Sequence, residues 1–372
     1  MKILHTYKVY RPDIDGGIPF VIDTLCRFVD GAANSILVAR RFGWGRRSIS
    51  DGTPVEAVTS FGTLFSTPLA PTFPWRLLRL ARSADIVVHH APFPVVDIAL
   101  SGLPDHVGLI VFWHADIVGY SWLKQLVSPA VRYALQRAQL IIISDKTALE
   151  SSMLLKPFAA KCTVIPYGVD VDFWGTLTET EGGAAEMLRQ KYPRMILAVG
   201  RLVPYKGIDI LLRAMQALDA TLIIIGEGPQ EAPLRKLARQ LAVSGKVQFL
   251  GRVPSGDMKS FLHAARVLAF PSITNAEAFG IVQLEAMAAG LPIVNTALPT
   301  AVPNIARHQQ EALTVPPGDP HALAYAISEI LDNPDLATRL GKAGRDRARS
   351  AYSNSRFLSR MKDVYRATAR QP

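Results

Sequence analysis

Only two cysteines, Cys26 and Cys162, stand in 372 residues, far apart and in unlike contexts. That excludes a disulfide framework and a CxxC metal or redox motif, and a reducing cytoplasm is the simplest setting. Long apolar runs are also lacking. Stretches such as AQLIII at 138–143 and GLIVFW at 108–113 are strand-sized, well short of the roughly 18 residues that span a bilayer. The opening MKILHTYKVY has one early lysine and then alternating residues. It reads as a strand without the apolar segment of a signal peptide. Charged residues are scarce, at 19% against 49% apolar, which excludes a disordered chain and suffices for about two domains. No His, Cys and carboxylate cluster has metal-ligand spacing, no GxSxG elbow offers a nucleophile, and no Walker A sequence occurs. No metal or cofactor is expected.

Positive charge is plentiful, with a formal net of +10. Residues 27–82 hold Arg27, Arg40, Arg41, Arg46, Arg47, Arg76, Arg79 and Arg82 against only Asp30, Asp51 and Glu56. No stacking aromatics or binding module accompany the charge, so nucleic acid is not expected. The two readings are an anionic membrane face, where a basic residue is worth about 1 kcal/mol, and a solvated basic surface with no partner. The segment PWRLLRLAR at 74–82 reads as an amphipathic helix able to lie in such an interface.

Strand-like and helical runs alternate. Strands are predicted at 2–7, 35–39, 85–89, 108–114, 140–144 and 162–166, then at 195–199, 221–225, 247–250, 267–270, 292–295 and 312–315. Helices are predicted between them, among them 18–28, 128–137, 207–218, 230–241, 257–264, 280–289 and 320–332. Near-continuous Ile/Val/Leu strands between helices argue for parallel sheets covered on both faces. The polar, glycine-rich stretch around 171–186 (GTLTETEGGAAE at its centre) reads as a linker between two α/β units. The domains expected are 1–172 and 187–350, with a terminal helix at 351–372 striped by Phe357, Met361 and Val364. Two facing doubly wound domains place their ligand crevice at the strand carboxyl ends.

The clearest constellation is PSITNAEAFGIVQLEAMAAGLPIV at 271–294. A strand ends, a loop carries Glu277, and a helix opens at Gly280. First-turn amides at the positive end of such a helix can hold a diphosphate, and Gly280 permits close backbone approach. Glu285, on the first or second turn, can accept two hydrogen bonds from a vicinal diol such as ribose. Glu277 can accept hydroxyls of a second sugar beyond the phosphates. In AVGRLVPYKGIDILLRAM at 198–215, Arg201 follows a strand and Lys206 stands five residues later. Two cations at a sheet's carboxyl end are placed to neutralise a diphosphate. LIIIGEGPQ at 222–230 lacks the third glycine of GxGxxG, since Glu231 occupies its place. A tight strand–helix turn explains it. In the first half, DGGIPF at 15–20 sets Gly16 and Gly17 between strand and helix, either as a phosphate or acceptor cradle or as a simple turn. VFWHADIVG at 111–119 places His114 and Asp116 at a strand end, where a lone histidine such as His114 is more often structural than functional.

Together these segments resemble glycosyltransferase family 4, retaining enzymes with the GT-B fold of two Rossmann-like doubly wound domains facing a central cleft. The matching features are DGGI, WHADIV, RAQLIIIS, CTVIPYGVDVDFW, GRLVPYKG, IIIGEGP and the EAFGIVQLEAMAAGLPIV block with its E-x7-E spacing. They occur in family order over nearly the whole chain. WHADIV looks like the WHSDIV of bacterial members that build surface polysaccharides, with Ala115 in place of Ser. SITNAE at 272–277 departs mildly from the usual Ser-x-x-Glu.

The resemblance implies that Arg201 and Lys206 hold the donor diphosphate, and that Glu277 binds the transferred sugar. Phe279, Gly280 and Ile281 offer backbone amides, and Glu285 binds ribose. The base lies near Arg252 and Val253. Gly17, with its neighbour Gly16, approaches the diphosphate from the first domain. His114 bonds the donor sugar or orients the reacting centre, and the terminal helix crosses back to the first domain. It further implies a nucleotide diphosphate donor, GDP-mannose or a UDP-hexose, and a saccharide or polyprenol-linked acceptor at the inner membrane face. Double displacement would need a carboxylate nucleophile, and no acid of the first domain stands out for it. Front-face displacement is therefore expected. A GT-B epimerase or phosphorylase, and a non-catalytic sugar-nucleotide binder, are the competing readings.

Overall fold

The computed structural model describes residues 1–14, 16–28, 31–64, 67–116 and 121–369. Asp15 of the DGGIPF segment and residues 117–119 of VFWHADIVG lie outside them. The chain divides into two compact units, Met1–Tyr167 with Ser355–Pro372, and Gly168–Asn354.

The first unit is built on one eight-stranded sheet. Its strands are β1 (Lys2–Tyr7), β2 (Ala33–Ala39), β3 (Arg46–Ser50), β4 (Thr53–Val58), β7 (Ile86–Ala91), β8 (Gly108–Trp113), β9 (Leu140–Ile143) and β10 (Cys162–Val164), with a separate small hairpin, β5 (Thr63–Leu64) and β6 (Thr67–Pro68). The order is β10-β9-β8-β7-β1-β2-β4-β3. All neighbours are parallel except β3, which runs antiparallel to β4 on the edge. Every residue of β7 and β8 is buried, as expected of central strands covered on both faces. The β3–β4 hairpin was not foreseen. Its Asp51-Gly52 turn is a hairpin signal, but a polar RRSIS strand has no apolar pattern to announce it.

The second unit carries β11 (Met195–Val199), β12 (Thr221–Ile225), β13 (Val247–Gly251), β14 (Val267–Ala269), β15 (Ile293–Thr296) and β16 (Ala312–Val315). Their order is β13-β12-β11-β14-β15-β16, all parallel. Numbered within the unit, this is 3-2-1-4-5-6, the doubly wound order whose ligand crevice opens where the winding reverses, between the first and fourth strands. The first unit's eight strands also reverse their winding once, between β1 and β7.

Three expectations are corrected. The stretch around 171–186 is not a linker. It folds as the helices Val171–Gly175 and Glu179–Lys191 of the second unit. Gly182 and Gly183 each cost about 1 kcal/mol against alanine in a helix. A capping box offsets this, with Thr178 accepting from the Glu181 amide and Glu181 reaching back to the Thr178 amide. Lys259 then clamps the Glu181 carboxylate at 2.7 and 2.8 Å. The helix Phe73–Ala81 also forms, but it sinks Phe73, Leu77 and Ala81 into the core. Its apolar face is already used and is not available to lie in a membrane interface. The terminal helix, Asn354–Ala369, buries Phe357, Met361, Tyr365 and Thr368, so Tyr365 rather than Val364 completes its stripe. A helix at Pro334–Ala351, not anticipated, precedes it.

No helix among the described residues is long and apolar enough to cross a membrane.

Candidate functional site

In the second unit the two motif blocks emerge from β11 and β14, the strands that flank the reversal. Arg201 follows β11, and Lys206 closes a short 3-10 turn at Pro204–Lys206. Ser272 and Glu277 follow β14. Because β11 and β14 are neighbours, residues some seventy positions apart in sequence meet. The Ile273 amide donates to the Tyr205 carbonyl at 2.9 Å, joining the two loops. Lys206 Nζ lies 2.5 Å from Glu277 Oε2, with both side chains mostly buried. Ser272 Oγ donates to the same carboxylate oxygen at 3.0 Å, and Thr296 Oγ1 from β15 donates to the Ser272 carbonyl at 2.6 Å. The ammonium also sits 5.0 Å from the centre of the Phe270 ring. Glu277 is thus oriented by two donors, and Lys206 by a carboxylate and an aromatic face. Arg201 is exposed, and its side chain makes no hydrogen bond or ion pair among the described residues; its carbonyl accepts from the Val203 amide at 2.9 Å.

The helix Ile281–Ala289 starts beside this pair. Gly280 is its N-cap at φ +83°, and no side chain caps it. A Cβ on Gly280 would stand 2.6 Å from Phe270 Cζ, so only glycine fits both the dihedral and the space. The Gln283 amide donates to the Gly280 carbonyl at 2.9 Å, and the amides ahead of it have no intrahelical acceptors, which leaves an anion-binding end. Phe279 is buried just before it, and Ile281 is its first residue. A buried network secures the segment. Gln283 Nε2 donates to the Phe279 and Val302 carbonyls, and Asn295 Nδ2 donates to Gln283 Oε1 at 2.9 Å. Glu285 is on the second turn, half-buried, with no side-chain hydrogen bond or ion pair among the described residues. Burial pushes its carboxyl up to about 7.

The GEGP turn has a structural explanation. A Cβ on Gly226 would collide with the Gly200 carbonyl. Leu202 N–H donates to the Glu227 carbonyl at 2.9 Å, and Gly226 N–H to the Gly251 carbonyl at 2.7 Å. The loops after β11, β12 and β13 are therefore stitched edge to edge. Arg252 and Val253 lie in the last of these, two strands from the Lys206–Glu277 pair.

In the first unit, Gly16 and Gly17 are exposed at the start of the helix Gly17–Phe28, after β1. His114 follows β8 and is 4% exposed. Its Nε2 lies 2.8 Å from His90 Nδ1, and its Nδ1 lies 2.6 Å from the Tyr167 hydroxyl. His90 Nε2 continues to His5 Nδ1 at 3.1 Å. Burial lowers the pKa of His5 to about 4 and of His114 to about 3, and holds His90 well below the usual range. All three rings are neutral at physiological pH, each with one donor and one acceptor. Both nitrogens of His114 are engaged within this unit, so ring contact with a sugar requires one of these bonds to exchange. Sequence reasoning missed His5, His90 and Tyr167 here, and Ser272 and Thr296 in the second unit. Tyr167 sits inside the CTVIPYGVDVDFW segment, the one signal available for it. Among the described residues no three His, Cys, Asp or Glu side chains gather as metal ligands.

Two doubly wound units, with cations, a carboxylate and an open helix end at the second unit's reversal, have the make-up of a GT-B glycosyltransferase. The family profile described as Glycosyl transferases group 1 matches residues 185–347, and that described as Glycosyltransferase Family 4 matches residues 16–173. The D-rhamnosyltransferase WbpZ of Pseudomonas aeruginosa is 30% identical over 369 residues, covering 95% of this chain and 92% of that protein. The O-antigen chain mannosyltransferase C of Escherichia coli is 29% identical over 372 residues, covering 98% of each. The fold is also that of Anabaena Alr3699/HepE, solved in complex with UDP and glucose, at a TM-score of 0.80 and 21% identity over 99% of this chain and 100% of that one. The chain belongs to glycosyltransferase family 4, and it is a hexosyltransferase.

Proposed function

We propose that the enzyme moves a hexose, with retention at the anomeric carbon, from a nucleotide diphosphate sugar to a saccharide or polyprenol-linked acceptor in polysaccharide or glycolipid synthesis. The observation that carries this is the Lys206–Glu277 pair at the β11/β14 reversal, beside an uncapped helix end. A donor entering there meets a cation for its diphosphate and a carboxylate for its sugar hydroxyls within one contact. In this reading Arg201 and Lys206 hold the diphosphate, Glu277 the sugar, and Phe279, Gly280 and Ile281 supply amides. Glu285 takes the ribose, Arg252 and Val253 border the base, and Gly16 and Gly17 reach the phosphates from the first unit. His114, fixed by His90 and Tyr167, orients the reacting centre.

The bond to the leaving diphosphate breaks as the acceptor hydroxyl attacks the same face. The acceptor proton passes to the departing diphosphate oxygen, whose charge Arg201 and Lys206 stabilise. In this reading no metal takes part.

A manno-configured donor is favoured. The relatives are named for D-rhamnose, which is 6-deoxymannose, and for mannose. The complex of HepE with UDP and glucose makes a UDP-hexose the second reading. The enzyme is placed in the cytoplasm, peripheral on the inner membrane face, where a polyprenol-linked acceptor is reached.

A panel of GDP-mannose, GDP-rhamnose and UDP-glucose tested for thermal stabilisation identifies the donor, because a ligand that binds the folded state raises Tm with occupancy. The anomeric configuration of the product, read by NMR, tests retention. An inverted product overturns the front-face reaction, and absence of stabilisation by every sugar nucleotide overturns the donor site.

A further inference from the structure

The carboxyl edge of the first unit's sheet carries apolar side chains that no described residue covers. Among the described residues, seven of the sixteen exposed large hydrophobics fall within 42–75, a stretch under a tenth of the chain. Single exposed apolar residues are ordinary, but a concentration marks a contact surface. Six of the seven belong to this edge. Phe42 (71% exposed) and Trp44 (83%) follow β2, and Phe61 (68%), Leu64 and Leu69 follow β4. Trp75 stands in the first turn of the helix that leads back to β7. Ile49 is the exception, paired with Pro54 near the opposite end of β4.

Backbone bonds draw these loops together. Gly43 and Ser60 exchange hydrogen bonds at 2.8 and 3.0 Å, and Phe61 N–H donates to the Leu69 carbonyl at 3.0 Å. Thr63 Oγ1 donates to the Arg41 carbonyl at 3.1 Å. The aromatic tips are therefore held on a fixed platform.

The charge around the platform is positive. Asp13 is neutralised by Arg40 Nε at 2.7 Å and by the Arg41 amide at 2.9 Å. Glu56 is taken by Arg76 and Arg47. Arg41 is exposed, with no side-chain hydrogen bond or ion pair among the described residues. Arg79 lies 5.5 Å over the Trp75 ring. Beside Phe42, an open pocket of about 440 Å³ is lined by Asp13, Arg40, Arg41, Phe42, Gly62 and Thr63, of a size to admit a phosphate headgroup.

We propose that this edge docks on an anionic lipid bilayer, with Phe42, Trp44, Phe61 and Trp75 entering the headgroup–acyl boundary and Arg41 and Arg79 among the phosphates. Aromatic and aliphatic tips ringed by arginine, with the neighbouring acids neutralised, match that surface in both polarity and charge. The proposal rests on the peripheral placement given above and names the residues that make it. It differs from a basic amphipathic helix lying in the interface, because Phe42, Trp44 and Phe61 come from loop tips, and the helix Phe73–Ala81 adds only Trp75 and Arg79 from its exposed side while Phe73, Leu77 and Ala81 stay in the core.

The test is co-sedimentation of the full chain with vesicles of phosphatidylglycerol and phosphatidylcholine, and with pure phosphatidylcholine, at low salt. The wild type sediments with the anionic vesicles. The double variant Trp44→Ser with Phe61→Ser loses binding by roughly tenfold or more, and Arg41→Gln weakens it and flattens its salt dependence. Donor-induced thermal stabilisation, measured in the same variants, is unchanged and shows that the fold and the second unit are intact. Wild-type protein that does not sediment, or a double variant that binds as well as wild type, overturns the proposal. So does self-association in ultracentrifugation that the same substitutions abolish without vesicle binding, which makes the edge an interface between two copies. Vesicle binding without any donor stabilisation would overturn the proposed donor site and leave the docking surface standing.

Discussion

Lys206 and Glu277 are joined at 2.5 Å across the β11/β14 reversal. The pair holds each charge in the position a donor needs, and a donor has only to insert its diphosphate and sugar beside it. Such preorganisation removes reorganisation at the moment of reaction.

Lys206→Ala is therefore expected to lower kcat by about 10²- to 10³-fold, the usual cost of removing one donor that stabilises transition-state charge. The fold should survive, because Ser272 still bonds Glu277. Steady-state kinetics with circular dichroism check both halves. In the same assays EDTA is expected to leave wild-type turnover intact. A variant with wild-type kcat, or an enzyme silenced by EDTA, contradicts the proposed mechanism.

Ser272→Ala separates orientation of the carboxylate from nucleotide binding. Ser272 is fully buried and donates to Glu277 Oε2. Losing such a bond to a charged group costs about 1.5–3 kcal/mol, and here the loss falls on the sugar half of the site. Turnover should drop by about tenfold or more, while affinity for the free nucleotide, measured by calorimetry, stays as in wild type. Equal losses in both would place Ser272 in general loop stability instead.

Glu285 makes donor binding sensitive to pH near neutrality. Burial lifts its carboxyl to about 7, and the ribose diol is best accepted by the ionised form. Donor affinity should rise from pH 6 to pH 8 and level off above. Stability runs the other way. The folded state holds the proton more tightly than the unfolded chain, so this group's contribution is fully present below about 4.5 and fades as pH rises towards 7. Calorimetric titrations of wild type and Glu285→Gln across this range decide it, and an equal pH dependence in the variant excludes Glu285 as the source.

The parts of this design visible in the sequence are those with local spacing. The E-x7-E block, GRL-x3-KG and the apolar strands all signal through neighbours within one or two turns. What escaped depends on long-range partners. Thr178 and Glu181 form a capping box in plain view, yet Gly182 and Gly183 pull the reading towards a linker, and the Lys259 clamp that reinforces the helix lies far along the chain. The apolar stripe of PWRLLRLAR suits a membrane and a core equally, and the sheet beneath it decides for the core. Ser272 and Thr296 look unremarkable in sequence, because their role appears only when β14 and β15 pair.

The His5–His90–His114 chain predicts an acid-sensitive first unit. In the unfolded chain each imidazole protonates near 6.5. In the fold burial lowers His5 to about 4 and His114 to about 3, and burial, with its histidine neighbours, holds His90 well below the usual range. Below 6.5 the unfolded state thus binds more protons than the folded one, and stability falls with pH. Each histidine contributes a slope of about 1.4 kcal/mol per pH unit until its folded pKa is reached. Thermal unfolding should therefore show Tm steady above about pH 7 and dropping steeply between pH 6.5 and 4. His90→Leu removes one titrating group and strips partners from His5 and His114, whose buried nitrogens then cost about 1–3 kcal/mol each. The variant should begin with a lower Tm at pH 7 and lose it less steeply on acidification. A variant with the wild-type acid slope would mean that other groups, not this chain of rings, carry the proton uptake.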